Sequence, residues 1–243
     1  MDVPHHETSA AGQRLAPLLA AMREPDATPL RRILLDPQTT RSFNAIENEL
    51  FLQAEPVKSL AIVSAALQEG KTTLAVLVAA YAAAVRRERR VLLVDADFLQ
   101  GRLGHTLGLT DSAPGLGEML SGAERPAQCI HATALSNLFV TPAARVGTRV
   151  GAFSPLPFEQ FLDAARASHD LVIIDTPPGG PNRSVLSISK IAGHALVVIR
   201  YGGPTREQVS VFLGDLKRAG VDVLGSFMNR REDVIPKLLY GHG

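Results

Sequence analysis

The sequence predicts an α/β domain, a mostly parallel sheet flanked by helices on both faces, and three observations point there. Apolar runs of strand length recur at residues 59–64, 90–96, 171–174 and 194–200. Helix-length segments at 72–87, 158–167 and 205–219 alternate with them. The chain of 243 residues is 46% hydrophobic and 20% charged, enough to bury such a core and too apolar for disorder or a coiled coil.

Residues 1–40 carry Pro4, Pro17, Pro25, Pro29 and Pro37 among polar residues and read as a flexible N-terminal arm with one helix near residues 15–23. The domain proper is expected over 41–232, followed by a short tail at 233–243. Phe43, Ile46, Leu50 and Phe51 recur at helical spacing, so a helix precedes the first strand, 59–64. The Ala- and Leu-rich segment 72–87 and the strand 90–96 complete a βαβ unit. A helix near 115–121, a strand at 138–142, a helix at 158–167 and the run 171–174 ending in Asp175 continue the alternation. Strand, helix and strand at 194–200, 205–219 and 221–228 close it. Sheets of this kind bind ligands at the carboxyl ends of their strands.

Composition excludes several functions. Lys and Arg number 25 against 24 Asp and Glu, so no global field attracts nucleic acid or an anionic membrane. The single cysteine, Cys129, excludes an internal disulfide and a Cys-clustered zinc site. His5, His6, His105, His131, His169, His194 and His242 show no metal-ligand spacing. No apolar run reaches the ~18 residues of a membrane span. The start, Met-Asp-Val-Pro-His-His-Glu, lacks the features of a secretory signal, so a cytoplasmic location is expected. The basic cluster 86–90 ends a helix and reads as a solvated face.

Three motifs stand at strand ends. The first, Ser64-Ala-Ala-Leu-Gln-Glu-Gly-Lys-Thr-Thr73, lies between a strand and a helix, as a phosphate-binding loop does. There Gln68, Glu69, Gly70, Lys71, Thr72 and Thr73 would cradle phosphates, Lys71 reaching the β and γ oxygens and Thr72 offering its hydroxyl to Mg²⁺. The strict pattern places glycine where Ala65 stands. The second motif delivers Asp95 and Asp97 from one strand, spaced i, i+2 on the same face. The third, Leu171-Val-Ile-Ile-Asp-Thr-Pro-Pro178, ends a buried strand on Asp175, a candidate Mg²⁺ ligand. Each has a bland reading as turn or capping residues. Together, in this order on an alternating chain, they indicate nucleotide binding.

With these residues the chain resembles the cytoplasmic kinase domain of bacterial tyrosine kinases, which belong with ParA/MinD-like P-loop ATPases and serve capsule and exopolysaccharide synthesis. The likeness covers roughly residues 41–229. It rests on the Asp-x-Asp strand, on Arg102-Leu103 and Gly108-Leu109, and on Pro114-Gly-Leu-Gly-Glu-Met-Leu-Ser-Gly122. It also rests on Asn137-Leu-Phe-Val-Thr-Pro142, on 170–178, on Val197-Val-Ile-Arg200 with Thr205, and on Gly225-Ser-Phe-Met-Asn229. The resemblance implies phosphoryl transfer from Mg-ATP to tyrosine or water, with ATP or ADP and Mg²⁺ as cofactors. Lys71 would be the phosphate ligand, and Asp95, Asp97 and Asp175 the acidic cluster that handles metal and activates the acceptor. Thr72, Asp95 and Asp175 would sit at the metal, and Asn229 at an adenine contact or in a strand-end turn. The partner implied is a membrane-embedded polysaccharide chain-length regulator, or co-polymerase, recruiting the chain to the inner face of the membrane. Self-assembly is a further possibility, and no nucleic acid is expected.

Departures from the family pattern are specific. Two arginines of the helix before the first strand are replaced by Asn44 and Glu47, the arginine after the second aspartate by Leu99, and an acidic residue by Ser184. The tail holds one tyrosine, Tyr240, where the family carries a run. Two alternatives stay open: a partitioning or positioning ATPase, and a nucleotide-binding pseudoenzyme scaffold. Against the first, the second lysine of such ATPases is Ala66 here.

Overall fold

The computed structural model describes residues 10–22, 30, 33, 37–52, 55–145, 153–179 and 183–229. Its centre is a seven-stranded sheet of β1 (Ser59–Ser64), β2 (Val91–Asp95), β3 (His131–Ala132), β4 (Leu138–Thr141), β5 (Leu171–Asp175), β6 (His194–Arg200) and β7 (Asp222–Asn229). The order is β3-β4-β2-β5-β1-β6-β7, with every pair parallel except β3 and β4. β1, β2 and β5 are buried at every position, which is why they read as continuous apolar runs rather than alternating ones.

The register puts the functional ends together. Ile62 of β1 lies beside Asp175, and Asp95 of β2 pairs with Asp175 on its other side. Two buried carboxylates therefore end adjacent strands, next to the strand that feeds the loop 65–70.

Helices cover both faces. On one face, α1 (Ala10–Ala21) and α2 (Pro37–Phe51) pack over α3 (Lys71–Val85), whose residues from Leu74 to Ala84 are all buried. A helix apolar all round needs such a cover on its outer side. The short α4 (Leu103–Thr106) adds Leu103 to this core. On the other face lie α5 (Leu116–Leu120), α6 (Pro155–Ser168), α7 (Ser184–Ala192) and α8 (Arg206–Arg218). They bury Leu116, Phe158, Phe161, Ile188, Phe212 and Leu216. α8 starts on a side-chain cap in which Thr205 Oγ1 accepts from Gln208 N at 3.2 Å.

Part of the segment expected as a flexible arm is instead core. Leu15, Leu18, Leu19 and Met22 repeat at i, i+3, i+4 and i+7, and all four are buried against the domain. Arg14 Nη1 also donates to Ala84 O at 3.1 Å. The stripe tolerates Pro17, which lies within the helix on its exposed side.

Two motifs quoted for the resemblance form one corner. Leu116 N and Gly117 N donate to the carbonyls of Pro142 and Ala143 at 2.8 and 2.7 Å, docking the start of α5 on the chain leaving β4. A Cβ on Gly115 would stand 2.2 Å from Pro142 O, so only glycine permits this approach. The position taken by Asn44 and Glu47 is likewise structural. Tyr81 Oη donates to Asn44 Oδ1, Arg86 pairs with Glu47, and the Tyr81 ring stacks on Phe43 at 5.4 Å. Tyr240 and the rest of 233–243 lie outside the described residues.

Candidate functional site

The loop leaving β1 is tightly turned. Gln68 and Gly70 both adopt positive φ, 57° and 96°, in the tight loop that leads into α3. Orphan N–H groups of the first turn of α3 point back toward this loop by helix geometry. Gly70 is favoured by its left-handed φ, and a Cβ there, 2.1 Å from Asn229 Nδ2, would push that side chain aside.

Glu69 holds this loop from within. Only 1% exposed, its Oε2 accepts from Ala66 N at 2.9 Å and its Oε1 from Arg200 N at 3.0 Å. Asn229 Nδ2 donates to Glu69 O at 2.9 Å. The ends of β6 and β7 thus tie down a loop that has Ala65 where a strict phosphate loop has glycine. Glu69 was expected among nucleotide-binding residues and Asn229 at an adenine contact; both side chains are engaged with the loop in this structure.

Lys71 Nζ donates to Ser64 Oγ at 3.0 Å, and Ser64 Oγ passes a hydrogen bond to Ala66 O at 2.7 Å. Burial pulls the Lys71 ammonium below its ordinary value, while Asp175, Asp97 and Glu69 oppose that pull. Thr72 Oγ1 donates to Asp175 Oδ2 at 2.6 Å. Asp175 Oδ1 is buried with no hydrogen-bond partner, and burial pushes this carboxyl up to about 7 against the Thr72 bond and Lys71 charge. Asp95 is raised well above the carboxylate range, by burial first and by Asp175 second. Its two oxygens accept from Asp97 N and Leu103 N, each at 3.1 Å, so Asp95 braces the turn after β2. Asp97 Oδ1 accepts from Leu99 N and Gln100 N at 3.1 and 3.2 Å.

A cavity of about 510 Å³ opens over the loop. Its walls include Gln68, Glu69, Gly70, Lys71, Thr72, Thr73 and Asp97, together with Gln100, Arg102, Thr106 and Pro178. Asp175 meets this space through Thr72, Asp95 stands behind the turn, and Asn229 lies behind the loop. Ser64, Gln100 and Arg102 were not singled out as site residues from sequence. Gln100 belongs to no motif and Arg102 entered only the family likeness, with Leu103, whereas Ser64 stands at the last strand position before the loop. Among the described residues no cluster of three His, Cys, Asp or Glu forms a metal cage. A loop hydroxyl and one carboxylate suit Mg²⁺ completed by phosphates and water. The unpartnered Asp175 oxygen beside Thr72 fits that ion.

No protein-family model matches the chain. The tyrosine-protein kinase Wzc of Salmonella typhimurium is 31% identical over 142 residues, which are 58% of this chain and 20% of that protein. The chain is similar to bacterial tyrosine-protein kinases and, in fold, to P-loop ATPases such as MinD. It spans about a fifth of the length of the curated relatives it matches. The kinase domain of Escherichia coli tyrosine kinase ETK has the same fold, with a TM-score of 0.66 at 24% identity over 84% of this chain and 80% of that one. The septum site-determining protein MinD of Pyrococcus horikoshii, solved with Mg-ADP, aligns with a TM-score of 0.62 at 25% identity over 74% of each chain. No helix among the described residues is long and apolar enough to cross a membrane.

Proposed function

We propose that the chain binds Mg-ATP and Mg-ADP over the loop 65–70 and transfers the terminal phosphoryl group to tyrosine or water, within the control of capsule or exopolysaccharide synthesis. One observation carries the reading: a buried lysine and a buried carboxylate with an unpartnered oxygen meet across Thr72 at the mouth of a loop with two positive-φ residues. Lys71 would leave Ser64 for the phosphates, exchanging a neutral acceptor for an anionic one. Thr72 and Asp175 would hold Mg²⁺, which supplies charge neutralisation at the phosphates when bound. Asp97, on the cavity wall, would orient the acceptor hydroxyl and take its proton. Asp95 sets the turn that carries it.

The MinD structure with Mg-ADP and the kinase relatives support the cofactor and the reaction class. The partner in this reading is the cytoplasmic tail of a membrane-embedded polysaccharide chain-length regulator. Asn44 and Glu47 are engaged with α3, which favours a partner over self-assembly through that face of α2. Turnover of ATP by the purified chain, with and without such a tail, tests the reading. Turnover that rises with the tail and is lost in Asp97→Asn supports it; turnover raised by double-stranded DNA and not by any tail would transfer the chain to the partitioning ATPases.

A further inference from the structure

The turn after β2 is a closed bracket. Asp97 Oδ1 takes the N–H groups of Leu99 and Gln100, Asp97 O takes that of Gly101 at 2.7 Å, and Asp95 Oδ2 takes that of Leu103. A backbone held at so many points fixes the direction in which each side chain leaves it. Leu99 points to solvent at 79% exposure, whereas Gln100 and Arg102 line the cavity that contains Lys71. Among the described residues the Arg102 guanidinium makes no hydrogen bond or ion pair.

The sheet order says which part of a ligand would meet it. The loop follows β1, Asp175 ends β5 beside β1, and the bracket follows β2 beyond β5. A phosphate chain seated on the loop and running past Thr72 and Asp175 reaches the β2 bracket last. A guanidinium stays charged at any working pH and offers paired donors that match two oxygens of one phosphate. We infer that Arg102 contacts the terminal phosphate of a bound nucleoside triphosphate and makes the site prefer triphosphate to diphosphate. This rests on the nucleotide reading above and adds a residue to it.

Calorimetry of Mg-ATP and Mg-ADP on the full 243-residue chain tests the assignment, using wild type, Arg102→Ala, Arg102→Gln and Arg102→Lys. Loss of a charge-assisted contact corresponds to about a ten- to hundredfold weaker Mg-ATP affinity. Arg102→Ala should show that loss with Mg-ADP affinity unchanged, and its turnover should fall through KM for ATP. Arg102→Gln, which keeps the stem and removes the charge, should match it, and Arg102→Lys should recover part of the preference. Equal weakening of both nucleotides, or no weakening of either, would overturn the assignment while leaving nucleotide binding itself in place. A wild-type chain that binds neither nucleotide would overturn both.

Discussion

Glu118 and Asp175 are both buried carboxylates at the carboxyl side of the same sheet, 4% and 1% exposed, and the fold treats them in opposite ways. Glu118 Oε2 accepts from Gly115 N at 2.9 Å and its Oε1 from Arg145 N at 3.0 Å, so it staples α5 to the chain leaving β4. Asp175 has one oxygen on Thr72 and the other on nothing, beside a second buried carboxylate. A buried polar atom without a partner is costly, and folds rarely keep one without use. Glu118 belongs to the architecture; in the proposed function Asp175 is held for a ligand.

The largest expected effect falls on the satisfied carboxylate. Glu118→Ala leaves the buried N–H of Gly115 without its acceptor and frees that of Arg145, and should cost about 2–6 kcal/mol in urea unfolding, at roughly 1–3 kcal/mol for each group lost. Folded protein should still bind nucleotide. A loss near zero would show that the corner does not depend on this staple.

Asp175→Asn sharpens the contrast because its sign is reversed. The folded-state pKa of about 7 lies above the unfolded value, so ionisation weakens the fold, and that cost grows as pH rises from the unfolded pKa to about 7. Removing the charge should raise the ligand-free melting temperature at pH 8, by ~2–4 °C for each kcal/mol regained in a domain of this size. The gain should fade as pH drops toward 4, where wild type is protonated as well. Turnover should fall in the same variant. A variant less stable than wild type at pH 8 would place Asp175 in the architecture with Glu118.

How much of this was legible in the sequence follows from the range of the forces involved. β1 and β6 match the sequence expectation to the residue: β1 is buried at every position and β6 from Ala195 to Val198, and parallel strands buried in this way write themselves as apolar runs. α7 was not foreseen: Ser-Val-Leu-Ser-Ile-Ser-Lys-Ile-Ala is rich in serine and β-branched residues of modest helix propensity, and burial of Val185 and Ile188 overrides this. The docking of α1 was hidden by Pro17 within its helical segment, and the two-residue β3 is too short to leave a pattern. At the site, the meeting of Lys71, Thr72 and Asp175 at the strand ends was legible because each lies within a local motif. The roles of Glu69 and Asn229 were not, since Glu69 meets Arg200 N across 131 positions and Asn229 meets Glu69 across 160.

The smallest effect is expected at α2. Tyr81→Phe removes the bond to Asn44 but keeps the stack on Phe43, and should cost about 0.5–1.5 kcal/mol in melting experiments without changing nucleotide affinity. A change in affinity there would show that α2 communicates with the loop and is not merely its cover.

Calorimetric titration of Mg-ADP into wild type and Lys71→Ala is the most direct test that the incompletely satisfied charges at the strand ends form a nucleotide site. Wild type should bind, and Lys71→Ala should bind about ten- to a hundredfold more weakly, the value of a charge-assisted contact to phosphate. Equal binding by the two proteins, or none by wild type, would contradict the account.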